Sequence, residues 1–138
     1  MMKRILFNKK GYNNLLQPFM NYIDKEFNLK NTWNPPIDIF ETDSCYCIIS
    51  ELPGINKEEI NLFIEGKMLI LSGEKKEKLD EKFFDNPRFH RIERPVGAFK
   101  REILLPDYVS VNDLNVQLKN GVLEIVLKKS EKKVIKVK

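Results

Sequence analysis

Asn120-Gly121 sits between two apolar, alternating runs, and no other feature restricts the fold of this 138-residue chain so tightly. Both residues tolerate the positive φ of a two-residue turn, so the pair predicts an antiparallel hairpin of 114–119 against 122–127. After the hairpin, Lys128, Lys129, Lys132 and Lys133 form a solvated tether, followed by Val134-Ile135-Lys136-Val137. An apolar triplet beyond such a tether is hard to bury in its own domain. It reads as a plug for a groove, one on another subunit included, and so points to assembly rather than catalysis.

The middle of the chain repeats the β pattern in short pieces. Residues 37–41 predict a short strand and 45–52 a longer one, stopped by Pro53-Gly54. Asn56 caps a single helical turn over 57–59, and Ile60, Leu62 and Ile64 alternate along a strand over 60–65. Residues 68–73 and 122–127 are apolar on both faces and are expected to be central strands. Residues 74–87 hold nine charges among fourteen positions and predict a long loop, closed by Asp85-Asn86-Pro87. Strands are expected again over 88–93 and 98–105, and Asn112-Asp113 starts a further turn. Some eight short strands without a long helix between them mean an antiparallel immunoglobulin-like β-sandwich. No repeat of solenoid or propeller length is visible.

Outside that region the chain changes character. Leu16, Phe19 or Met20, Ile23 and Phe27 recur at helical spacing within 12–30, with Leu15 and Tyr22 widening the apolar face. Spacing alone supports both a helix packed on its own domain and an exposed, adaptable apolar arm. Trp33-Asn34-Pro35-Pro36 breaks the pattern. Charge is divided along the same boundaries: +4 over 1–30, −5 over 31–127 and +5 over 128–138. Cationic ends on an acidic middle are solvated tails rather than a nucleic-acid footprint, which needs its positive charge on the folded surface. No apolar run approaches the roughly 18–20 residues of a membrane span. Ile5-Leu6-Phe7 is shorter than a secretory apolar core, and residues 1–23 are poor in the Arg and Ser of a transit peptide, so the cytoplasm is expected.

Catalytic chemistry finds little support. Cys45 and Cys47 share one face of a strand at a spacing ill suited to a mutual disulfide, and no second Cys/His pair completes a zinc site. They are expected to act as small buried hydrophobes. His90 is the lone histidine, and Gly66, Gly73 and Gly97 are isolated turn glycines rather than a phosphate loop. Neither a nucleophile elbow nor a zinc-protease motif occurs. No enzyme activity, cofactor or metal is expected.

Several strings taken in order resemble a known family. Glu51-Leu52-Pro53-Gly54, Leu71-Ser72-Gly73-Glu74, Phe89-His90-Arg91-Ile92-Glu93-Arg94, Gly97-Ala98-Phe99-Lys100-Arg101, Leu105-Pro106 and Leu118-Lys119-Asn120-Gly121-Val122-Leu123 are similar to the α-crystallin domain of small heat shock proteins (Hsp20), nearest to the bacterial and plant subtype. Ile135-Lys136-Val137 resembles the family's I/V-x-I/V tail motif. The resemblance implies a variable arm over 1–34, helical or disordered, an α-crystallin domain over 35–128 and an extended tail over 129–138.

The resemblance also implies a function, that of an ATP-independent holdase that binds partly unfolded proteins under stress and assembles from dimers into larger homo-oligomers. ATP-driven chaperones are then implied downstream, with neither nucleic acid nor a membrane span as partner. By position, Arg88, Phe89, His90, Arg91 and Ile92 match the exchanged strand of the dimer, and Arg101 the arginine that pairs across it. Ile60, Leu62 and Ile64, with Leu114, Val116 and Leu118, match the groove that receives Ile135 and Val137 of a neighbour. Leu15, Leu16, Phe19, Met20, Ile23 and Phe27 occupy the client-binding arm. Val137 departs from the commoner isoleucine, which implies weaker docking, and the arm is short. A monomeric co-chaperone adaptor with a related sandwich, or a structural protein built on the same domain, are the alternatives.

Overall fold

The hairpin forms as its sequence requires: Asn120 and Gly121 take φ of 53° and 76°, and Lys119 pairs with Val122 across the turn. The Gly121 carbonyl accepts a 2.6 Å hydrogen bond from the Leu52 N–H, tying the hairpin tip to the end of the preceding strand. A Cβ at Gly121 would stand 3.3 Å from Pro53 Cα, so the turn is closed on two sides.

The computed structural model of the chain describes residues 2–5, 33–80, 82–130 and 136–138. Its strands are β1 (Met2–Ile5), β2 (Ile37–Glu41), β3 (Cys45–Glu51), β4 (Ile60–Glu65), β5 (Met68–Lys75), β6 (Gly97–Leu104), β7 (Val109–Lys119) and β8 (Val122–Lys129). They pair into two antiparallel sheets, ordered β1-β4-β5-β6 and β2-β3-β8-β7. The β-sandwich read from the alternation is therefore the fold. β5 and β8 are both interior strands, as their two-faced apolar character demands.

Alternation fixes which side chains meet between the sheets. Tyr46 and Ile48 of β3, Leu62 and Ile64 of β4, Leu69 and Leu71 of β5, Phe99 and Ile103 of β6, and Leu123, Ile125 and Leu127 of β8 form one buried cluster. Burying a side chain of this size contributes roughly 1.5–3 kcal/mol, so the interface between the layers is the main source of stability. A 3-10 turn over Lys57–Glu59 leads into β4, with the Asn56 N–H donating to Glu59 Oε2 at 2.9 Å.

The structure departs from the sequence reading at three places. Residues 88–93 alternate but form no strand and pair with none among the described residues, since alternation records a buried face and not a neighbour. β7 begins at Val109 rather than 114, and the turn expected at Asn112-Asp113 is absorbed as a register irregularity between Val109 and Leu114. β1 is not legible in the sequence, since four residues are too few to show a period. The helix expected over 12–30 lies outside the described residues, as do Leu15, Leu16, Phe19, Met20, Ile23, Phe27 and Ile135.

Gly73 carries a specific burden. A Cβ there would fall 2.5 Å from the Glu59 carbonyl oxygen and 2.7 Å from Phe99 Cζ, both well inside contact distance. Phe99 is fully buried and the carbonyl belongs to the turn before β4, so neither can withdraw cheaply. Gly73→Ala is expected to destabilise the sandwich by about 1–3 kcal/mol, measurable as a lowered midpoint in chemical denaturation.

Candidate assembly surfaces

Contacts between the two sheets set which strand margins lie together. Arg101 Nη1 of β6 donates to the Pro35 carbonyl at 3.5 Å, just before β2. The Trp33 N–H and indole Nε1 donate to the Ala98 and Gly97 carbonyls at 3.2 and 3.1 Å. β6 therefore lies beside the start of β2. By the strand orders, β1 and β4 then fall on the same side of the sandwich as β7, and Lys67 Nζ at the β4–β5 turn reaches the Val109 carbonyl at 3.2 Å.

Trp33 is a contact that sequence reasoning missed. Its ring meets Phe99 edge-to-face at 5.5 Å, and Lys75 Nζ stands 5.5 Å from its centre. The indole thus pins the chain entering the sandwich onto β6. The signal is present in the sequence, since a lone Trp before Pro-Pro is a large apolar group at a bend as well as a helix breaker.

The first candidate surface is the margin of β2. This strand pairs with β3, and its other side meets no strand among the described residues. Ile39 and Phe40 on it are each 46% exposed. Arg88, Phe89, His90, Arg91 and Ile92 stand together in the long segment between β5 and β6, all exposed, with Phe89 at 54% and Ile92 at 72%. Arg94 forks onto Glu77 at 2.9 and 3.1 Å. With Phe89, Arg91, Ile92 and Glu93, these two residues line a shallow cleft of about 220 Å³. Arg101 is not gathered with that group; it contacts Pro35 at the β6–β2 margin instead.

A second candidate surface lies between β4 and β7. Ile60, Leu62 and Ile64 are buried in the common core, whereas Leu114, Val116 and Leu118 are half-buried and pack against it. The outer side of β4 is not open: β1 pairs along it, with Met2 opposite Glu65, Lys3 opposite Ile64, Arg4 opposite Phe63 and Ile5 opposite Leu62. Val137 touches little of its own chain and is 96% exposed.

Side-chain chemistry at these surfaces is structural. Burial, with the neighbouring Cys45 and Glu124, pushes the Cys47 thiol up, so it is held protonated and unreactive. Cys47 is buried as the sequence reading expects, and Cys45 is half-buried. The Tyr108 hydroxyl donates to Glu41, and this bond raises the phenol's pKa. Lys129 lies over the same ring, so Tyr108 joins the end of β2 to the end of β8. Among the described residues no group of His, Cys, Asp and Glu is placed to hold a metal, and no helix is long and apolar enough to cross a membrane.

Known proteins match this chain consistently. The profile of the Hsp20/alpha crystallin family matches residues 38–138. Small heat shock protein C2 of Rickettsia felis is 41% identical over 97 residues, covering 70% of this chain and 61% of that protein. The 16.9 kDa class I heat shock protein 1 of Oryza sativa subsp. japonica is 36% identical over 106 residues, covering 76% of this chain and 69% of that one. The chain thus spans about three-fifths to two-thirds of the length of these relatives. Among solved structures, a small heat-shock protein from Xylella fastidiosa, described as having a distinct high order structure, superposes with a TM-score of 0.67 at 30% identity. It covers 76% of this chain and 94% of that one. The hspA protein from Xanthomonas axonopodis follows with a TM-score of 0.59 at 34% identity, covering 70% and 94%.

The long segment between β5 and β6 is held at its root by Glu59, which accepts from Lys78 and the Asn56 N–H. Burial pushes the Glu59 carboxyl up, but those two hydrogen bonds and the charges of Lys78 and Lys76 outweigh it and hold the pKa below its ordinary value of 4.5. A lowered carboxylate stabilises the fold above that ordinary value, and the contribution fades as pH falls through the lower native one. Glu59→Ala is expected to cost about 0.5–2 kcal/mol at pH 7. The deficit should shrink by about pH 3, as denaturation of both proteins at the two pH values will measure.

Proposed function

This chain belongs to the Hsp20/alpha crystallin family, and from that membership we propose that it is an ATP-independent holdase, active in the cytoplasm as a homo-oligomer of dimers. Membership of this family implies a chaperone rather than an enzyme. The single observation that best supports the assembly is the bare margin of β2 together with an alternating, exposed, unpaired segment over 88–93 in the same molecule. Exchange of that segment between two copies supplies each half with the backbone partner the other lacks.

On this reading Arg88 to Ile92 form the exchanged strand, and Arg101 stands at the margin where the partner arrives. Ile135 and Val137 join dimers by entering the groove between β4 and β7. Burying two such side chains contributes roughly 3–6 kcal/mol before the tether is ordered, which is weak alone. Repeated around a closed assembly, these contacts gain effective concentration while each remains breakable. Leu15, Leu16, Phe19, Met20, Ile23 and Phe27 capture unfolding chains by apolar area, and ATP-driven chaperones then refold what has been held.

The purified chain is expected to suppress heat-induced aggregation of a model client enzyme without nucleotide, read by light scattering. Undiminished client precipitation would overturn the holdase reading. Ile135→Ala with Val137→Ala is expected to reduce the native mass toward dimers. Arg101→Gly, or deletion of 76–86, is expected to convert dimers to single subunits by native mass spectrometry, and an intact dimer would remove the exchanged-strand assignment.

A further inference from the structure

Alternation gives the β1-β4-β5-β6 sheet a second buried face. Ile60, Leu62 and Ile64 of β4 and Leu69 and Leu71 of β5 point into the common core. Phe63 and Ile70, which face each other across the two strands, therefore point away from it. Both are nonetheless buried, Phe63 completely and Ile70 to 4% exposure. Ser72, the next outward position of β5, is also wholly buried, and its hydroxyl has no hydrogen-bond partner among the described residues. Opposite it on β6 the Lys100 side chain is only 19% exposed. The outward row on the other side of Phe63 and Ile70 differs: Glu65 is exposed, and Leu104, opposite Met68, is 69% exposed. One face of an antiparallel sheet can stand in water. A buried band on that face, ending where exposure resumes, requires a further layer.

Two fixed points say where that layer comes from. β1 ends at Ile5, opposite Leu62, on one margin of the sheet. Trp33 donates to the Ala98 and Gly97 carbonyls of β6, on the other margin. Residues 6–32 join these points, so the chain passes from one margin to the other, three strand spacings or about 14 Å away. The inner side of the sheet is filled by the core, and the direct route runs over the outer face along Phe63, Ile70, Ser72 and Lys100. We propose that this band is the dock for residues 12–30 of the same chain, with Leu16, Phe19, Ile23 and Phe27 supplying the apolar side that the face lacks. The unmet Ser72 hydroxyl makes the contact less favourable than a wholly apolar one, which suits a layer that separates without disturbing the core. One consequence rests on the holdase reading given above: departure of the segment uncovers Phe63 and Ile70 as well, so a client meets both halves of one apolar contact.

The test reads thiol reactivity on that face. The full chain carries Cys45→Ser and Ser72→Cys, the second nearly isosteric and at a hydroxyl without a bond to lose. Cys47, on the other sheet, is kept as a buried reference thiol. A second protein adds Leu16→Ser, Phe19→Ser, Ile23→Ser and Phe27→Ser. Labelling by N-ethylmaleimide, mapped by mass spectrometry, is expected to be about tenfold faster at position 72 in the second protein and unchanged at Cys47. Equal rates at position 72, whether fast or slow, overturn the dock. Parallel acceleration at Cys47 overturns it too, because it reports a loosened sandwich rather than an uncovered face. Excess chain carrying Cys45→Ser, Cys47→Ala and an intact arm, mixed with the second protein, tests the other occupant. Continued fast labelling supports a dock within one chain; restored protection assigns the face to the arm of another copy and overturns it. None of these readouts involves a client, so the holdase reading stands or falls separately.

Discussion

Backbone groups at the margin of a β-sheet must be met by something, and that requirement governs most of what this molecule does. Two four-stranded sheets end on β1 and β6 in one layer and on β2 and β7 in the other. Each margin has a different answer. β1 is itself the cover of β4, the Trp33–Pro35 stretch lies against β6, and the Leu114, Val116 and Leu118 side of β7 leans on the core. β2 has no strand against its outer side among the described residues, and it exposes Ile39 and Phe40.

The core and the margins carry different weights. Leu62, Leu71, Phe99, Leu123, Ile125 and Leu127 are fully buried between the layers, and they hold the sandwich together whatever happens at its rim. Strands gained or lost at the rim exchange a few ladder bonds and a little apolar area. A body of fixed shape with replaceable borders can gain or lose strands at its rim without unfolding.

How far the sequence went follows from the same division. β4, β5, β6, β8 and the Asn120-Gly121 turn were legible because burial on one or both faces leaves a period in the residues. That period says which face is buried and nothing about who sits alongside, which is why 88–93 read as a strand and stands unpaired here. β1 has four residues, too few for a pattern, and its importance comes from where it lands rather than from its composition. The residues expected to form a groove split for a related reason: Ile60, Leu62 and Ile64 are core first, whereas Leu114, Val116 and Leu118 keep part of their surface free. The resemblance to a family assigned roles to these residues by position; the alternation alone assigns none.

Trp33 is the only tryptophan in the chain, and it stands where the incoming segment meets the sandwich, with its indole N–H on Gly97, its ring edge-on to Phe99 and a lysine ammonium over it. Its emission colour therefore depends on that seam and on little else. The protein carries its own dye at the junction between the incoming segment and its rigid body, so selective ultraviolet excitation follows the seam in real time in the unlabelled molecule.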